Sequence, residues 1–327
     1  MNPDTEGRVV ASPPRKPVSM LAWLLQVCLV VSLAALLAWL VHNAQANLRE
    51  RNMAAGFGFL FSDSAGFAIG EGWIPFGEDD SYFWALLAGA LNTVRVAVPA
   101  LVLASLLGLV LGIASVAQNP LLRGLVHTIV DVLRNIPLLV QVLLVYIIAT
   151  EALPNPEDAL SLAGFYLSKS GLILPWGQVE VTPFGVHGTH VLSTEWMSLV
   201  LSLMLYAGAY CSEIVRAGLQ SVARGQSEAA HALSLSRWQT LRLVLIPQGL
   251  RVAIPPYTSL MLSTVKNSSL GVAIGYPDIV SVATTTMNQT GRAIECIAVI
   301  GSVYLLINIL VSFVMAQINR RVAIKER

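Results

Sequence analysis

The chain has 327 residues, 55% of them hydrophobic and 12% charged, with a formal net charge of +1. Soluble domains carry about 25% charged residues, so an ordinary soluble protein is excluded. So is a nucleic-acid binder, because the basic residues are not gathered on one soluble domain. Cys28, Cys211 and Cys296 all lie in apolar runs with no short pairing, which argues for small buried residues rather than a disulfide framework.

Residues 1–19 are polar and contain proline, as in a disordered tail. An apolar run follows at 20–41. Arg15 and Lys16 precede it, and Ala44-Gln45-Ala46 after it resembles a signal-peptidase site. A signal core is shorter, however, at roughly 7–15 residues, so a retained helix is expected. The loop 42–84 is rich in glycine and aromatic residues. Further apolar runs lie at 86–117, 132–152, 196–215, 252–276 and 294–316. Each approaches the ~20 residues a helix needs to cross a bilayer. The loop 153–195 holds Pro154, Pro156, Pro175 and Pro183 around a Gly-rich middle, which suits turns and short hairpins. The expected fold is therefore an all-α polytopic membrane protein with about six transmembrane helices. Gly108 and Gly112 in the second run suit close helix packing.

Lysine and arginine set the orientation. With the N-terminus in the cytoplasm, Arg49, Arg51, Lys169 and Arg292 fall outside, and Arg95 and Lys266 fall within spans. All the others fall inside, among them Arg123, Arg224, Arg237, Arg242, Arg320, Arg321, Lys325 and Arg327. Both termini, including the tail 321–327, and the segment 216–251 are thus expected in the cytoplasm.

Residues 225–248 form a polar, basic island between apolar runs. Ser227 is a candidate cap of a first short helix, with Glu228 favourable at its positive end. Ser236-x-x-Gln239 has the capping-box pattern for a second, which Pro247 is expected to end. Ala229, Ala230 and Ala232 leave a small face that a partner can approach closely. The chain has no Gly-x-x-x-x-Gly-Lys-Ser/Thr, so it lacks a phosphate-cradling loop of its own. His187 and His190 do not make a persuasive metal site. No nucleophile–base set can be assembled on one side of the membrane. A non-catalytic subunit without a bound cofactor is expected.

Glu228-Ala229-Ala230 through Ile246-Pro247 resembles the EAA motif of ABC importer permeases, with Val244 and Pro247 in register and Ser234 where that family has glycine. Arg134-Asn135-Ile136-Pro137-Leu138-Leu139-Val140-Gln141, Ala209-Tyr210-Cys211-Ser212-Glu213-Ile214-Val215-Arg216-Ala217-Gly218 and Lys266-Asn267-Ser268-Ser269-Leu270 resemble three motifs of its polar amino acid branch. Ala217 departs from the second pattern. The added first helix and enlarged 153–195 loop are similar to the general L-amino acid systems, which include glutamate/glutamine/aspartate/asparagine importers.

The resemblance implies a five-helix permease core at 85–320, one additional N-terminal helix at 20–41, periplasmic loops at 42–84 and 153–195, and a coupling helix pair at 225–248. It implies a bacterial inner-membrane location. The implied partners are a cytoplasmic ATPase dimer carrying ATP and magnesium, a second permease chain and a periplasmic amino acid-binding protein. Glu228, Ala229, Ala230, Ser234 and Pro247 would serve coupling. Lys266, Asn267, Ser268, Ser269 and Gln141 are candidates for the substrate path. Glu213, Arg216, Arg134 and Pro137 are candidates for a gate or brace.

Lys266 lies about 21 Å into a core of about 30 Å when counted from Val252, so a snorkelling side chain is its bland alternative. Glu213 is a candidate partner for it. Arg95 has no evident role. Two other functions fit the composition: a secondary transporter or channel acting alone, and a membrane sensor whose island recruits a signalling partner.

Overall fold

The computed structural model describes residues 20–50, 56–182 and 185–322. The tails 1–19 and 323–327, with Lys325 and Arg327, lie outside the described residues, as does Pro183. The described residues fall into two units. The first holds α1 (Met20–Glu50), whose large apolar side chains such as Trp23, Leu25, Val30 and Leu37 are exposed around the helix. A helix apolar on all sides suits lipid rather than water.

The second unit, Phe57–Arg327, opens with the single-turn α2 (Phe59–Ser62) and the long α3 (Tyr82–Ala114). Ser81 caps α3 by accepting from the Trp84 N–H. Asn119 caps α4 (Pro120–Asn135), with Pro120 in the first turn, where its missing N–H costs nothing. Ile136 is extended, as the residue before a proline prefers, and α4 meets α5 (Leu138–Ala152) at a bend of 100°. The expected single span 132–152 is therefore two helices joined by an elbow.

The loop that follows carries all the strands found among the described residues. These are β1 (Leu160–Leu162), β2 (Phe165–Ser168), β3 (Gly171–Ile173), β4 (Val179–Thr182), β5 (Gly185–Gly188) and β6 (Val191–Leu192). Strands β1, β2, β3 and β6 make one antiparallel sheet in that order, and β4–β5 is a separate hairpin. The turns and hairpins expected from its prolines and glycines are thus present as a small β insert on a helical protein.

Next come α6 (Thr194–Gln220), α7 (Arg224–Ala232) and α8 (Arg237–Thr240). A π-helical turn, Leu241–Leu245, leads into α9 (Ile246–Asn267). A 3₁₀ segment, Ser268–Ile274, turns at Gly275 before α10 (Ile279–Thr290) and α11 (Ala293–Val322).

Four of the described helices are long and apolar enough to cross a membrane: α1, α3, α6 and α11. The bent α4–α5 pair makes a possible fifth. The expected count of six is not reached because the run 252–276 is not one apolar helix. Its helix ends at Asn267 and carries a polar flank with Ser259, Ser263 and Lys266.

Helix α6 is the hub. It runs against α3, where a Cβ on Gly108 would collide with Cys211 and one on Gly112 would lie 2.6 Å from the Val215 side chain. The expected close approach at this glycine pair is therefore real. On its other side α6 meets α9 through Gly218 and Gly249, each lying against the other's backbone. Apolar clusters around Val96, Leu199 and Tyr276, and around Cys211, Val215 and Leu219, fill the two levels of the bundle.

Candidate functional site

The polar island folds as a hairpin whose turn is closed by backbone geometry. The Leu235 N–H donates to the Ala230 carbonyl at 3.1 Å and the Ser234 N–H to the His231 carbonyl at 2.9 Å. This pair of bonds is a Schellman motif, which places the next residue in the left-handed region. That residue is Ser234, at φ +58°. A non-glycine residue there costs about 1–2 kcal/mol relative to right-handed backbone. Serine therefore occupies the bend that glycine usually serves, and the bend is kept.

Ser236 and Gln239 form the expected capping box at the start of α8. Two other expectations fail. Ser227 lies inside α7, which begins at Arg224 without a side-chain cap; neither Ala223 nor Arg224 marks that start chemically. Pro247 does not end a helix but sits in the first turn of α9. The widened turn at Leu241–Leu245 replaces the i−4 hydrogen bond that the proline ring would obstruct. The hairpin thus continues without a break into α9. Ala230 is buried at 3% exposure, whereas Glu228, Ala229 and Ala232 are exposed.

A second cluster lies between α4, α6 and α9. Glu213 accepts from Arg216 at both oxygens, Nε–Oε1 at 3.1 Å and Nη2–Oε2 at 2.6 Å. The Arg134 Nη1 is 3.8 Å from Glu213 Oε2, and its guanidinium lies 5.0 Å from the Tyr210 ring centre. These groups line a cleft of about 560 Å³ together with Pro256, Ser259 and Ser263 of α9. The cleft is lined by two guanidiniums and one carboxylate, and Asp131 of α4 acts on Arg216 as a second acidic group nearby.

Lys266 stands one turn beyond Ser263 and is exposed, and none of the described ion pairs includes it. Glu213, its candidate partner, is committed to the two arginines instead. Ser268 is buried and its hydroxyl donates to the Val265 carbonyl; Ser269 donates to the Lys266 carbonyl. Asn267 is half-buried.

Gln141 is buried at 5% exposure and does not line this cleft. Its amide donates to the carbonyls of Leu133 at 2.5 Å and Ile136 at 3.1 Å. These are carbonyls at the elbow that have no helical partner, so Gln141 fastens the bend that Pro137 imposes. Among the described residues no group of three His, Cys, Asp or Glu side chains is placed to hold a metal.

Arg95, without a role in the sequence, is the centre of a buried knot at the α3 end nearer the β insert. Its Nη1 pairs with Glu71 at 2.8 Å and its Nη2 donates to the Val191 carbonyl at 3.1 Å. Asn92 donates to the carbonyls of Glu71 and Pro277, and the Trp196 indole N–H donates to the Arg95 carbonyl. The signal was present as a lone charge in an apolar run. Its partner lay in a loop that no periodicity could align.

A helical core with a polar hairpin and a charged cleft between its spans is the architecture of a transporter subunit. The chain matches over residues 82–324 the family described as binding-protein-dependent transport system inner membrane component, and it belongs to that family. It is 37% identical to the ABC transporter permease protein YhdX of Escherichia coli (strain K12), covering 94% of this chain and 95% of that one. It is 34% identical to the general L-amino acid transport system permease protein AapQ of Rhizobium johnstonii, covering 92% of each. In a crystal structure of an amino acid ABC transporter with histidines, one chain superposes with a TM-score of 0.56 at 23% identity, over 73% of this chain and 95% of that one. That likeness shows the shared fold.

Proposed function

We propose that this chain is the permease subunit of an ATP-driven importer of L-amino acids, of polar or broad range. The carrying observation is the hairpin. Glu228 and Ala229 are exposed on a helix whose turn is fixed by backbone bonds and whose far arm runs unbroken into α9. A partner ATPase that moves this hairpin moves α9, and with it one wall of the charged cleft. Relatives named for general L-amino acid and glutamate/glutamine/aspartate/asparagine transport support the substrate class.

In this reading ATP and magnesium are held by the ATPase, and the chain itself catalyses nothing. Both termini face the ATPase side. A second permease supplies the other half of the pathway, and a binding protein delivers substrate from the opposite side. Arg134, Glu213 and Arg216 form an ionic brace that can open to a substrate carboxylate. Lys266 and the serine-lined flank of α9 continue the path, and Pro137 with Gln141 fixes the elbow.

The test is uptake by the whole complex in proteoliposomes. Glu228→Lys should insert and assemble yet lose ATP-coupled uptake. Wild-type uptake by that variant, or uptake by the wild type without ATP, would refute the reading.

A further inference from the structure

A groove of about 810 Å³ runs between the end of α3, the start of α4 and the side of the hairpin that faces them. Its floor is apolar: Ile113, Val116, Leu219, Leu241 and Leu245 pack as one cluster. Val110 and Leu122 on its walls are 64% and 42% exposed. Its other end is polar and cationic, lined by Gln118, Gln220, His231 and Arg237, with Trp238 beside them at 62% exposure. No carboxylate lines it, and Arg237 has no ion pair among the described residues.

This order, an apolar trough ending in amides, a guanidinium and an indole at the level where α3 and α6 terminate, matches one kind of molecule. An acyl chain fits the trough. A phosphate diester fits the Arg237 end, where the indole takes the interfacial position that tryptophan favours. We propose that the groove seats an acidic glycerophospholipid of the adjacent leaflet, held by its headgroup at Arg237 and His231. The lipid would then lie against α7 on its Ser227–His231 flank, leaving Glu228, Ala229 and Ala232 free. The inference rests on the membrane placement that family membership gives and not on ATPase docking.

The experiment uses the complete transporter in phosphatidylcholine vesicles doped with phosphatidylglycerol. Photoreactive acyl-chain analogues of each lipid are compared, and the labelled peptides mapped. Phosphatidylglycerol should label the peptide spanning Val110–Leu122 about fivefold more than phosphatidylcholine, the gain expected from one interfacial cation. Arg237→Gln should remove most of that preference and Arg237→Lys should keep it. Gln118→Glu, outside the hairpin, should remove it by repulsion and covers the case in which Arg237→Gln fails to assemble.

Equal labelling by the two lipids would overturn the proposal. So would an unchanged preference in both Arg237→Gln and Gln118→Glu, or a groove shielded from lipid by a protein partner. Loss of labelling to competing glycerol phosphate would make the site one for a free phosphate and would also overturn it. None of these readouts requires ATP or substrate, so they stand apart from the transport test.

Discussion

Single residues carry much of the logic of this chain. Ser234 holds a left-handed conformation that glycine would adopt freely. Ser234→Gly is expected to stabilise the complex by up to ~1 kcal/mol, and Ser234→Val to destabilise it by at least as much. Thermal unfolding followed by size exclusion checks both signs; a Val variant as stable as the wild type would contradict the strained turn. Arg95 and Glu71 are 10% and 14% exposed. Removing one partner of a buried pair costs ~3–5 kcal/mol, whereas removing both costs less. Arg95→Leu should therefore lower the unfolding midpoint sharply, and Arg95→Leu with Glu71→Leu should recover part of the loss. A double variant no better than the single one would assign the loss to the other side-chain contacts of Arg95, its hydrogen bond to the Val191 carbonyl and its guanidinium 6.0 Å from the Trp196 ring centre.

Among the elements, α6 has the least freedom, because it packs against α3 and α9 through glycines on both sides. Gly112→Leu would drive a side chain into Val215 and the Ser212 carbonyl. Overpacking of this kind costs ~1–3 kcal/mol or separates the helices. The expected result is reduced assembly with α3 and α6 individually inserted, measured by cross-linking between the two helices. Unchanged cross-linking would show that the contact is loose. The capping box at Ser236 and the glycine pair on α3 were legible in the sequence because each is a local pattern with one geometric meaning. The start of α7, the π-helical turn before Pro247 and the elbow at Pro137 were not. Each depends on how the chain resolves a proline or an uncapped end once neighbouring helices constrain it. Gln141 illustrates the difference: a polar residue in an apolar run suggests a pathway, but here it binds the carbonyls that the bend exposes.

At the scale of the whole molecule, the far arm of the hairpin, the α9 flank and one wall of the cleft follow one another along a continuous helical run. Lys266 stands on that flank one turn from the cleft, exposed and outside the described ion pairs. A charged hydrogen bond to substrate contributes ~1.5–3 kcal/mol. Lys266→Ala should therefore lower uptake efficiency by about tenfold or more, or change the range of substrates accepted. Unchanged kinetics with several amino acids would leave Lys266 as a snorkelling side chain.

Composition, the apolar runs and the motif around Glu228 determined by themselves that this is a membrane-spanning permease of an ABC importer family, because hydropathy and a fixed motif spacing are properties of the chain alone. Only the tertiary structure decided which charges meet. Glu213 and Arg216 are three residues apart on α6 and meet locally, but packing brought Arg134 rather than Lys266 to Glu213, and Arg95 found Glu71 across a loop. Tertiary structure also decided that the run 252–276 is a helix with a polar flank followed by a tight turn. Ion pairs and polar flanks follow from which helices pack together, and close packing at Gly108, Gly112, Gly218 and Gly249 fixed that arrangement.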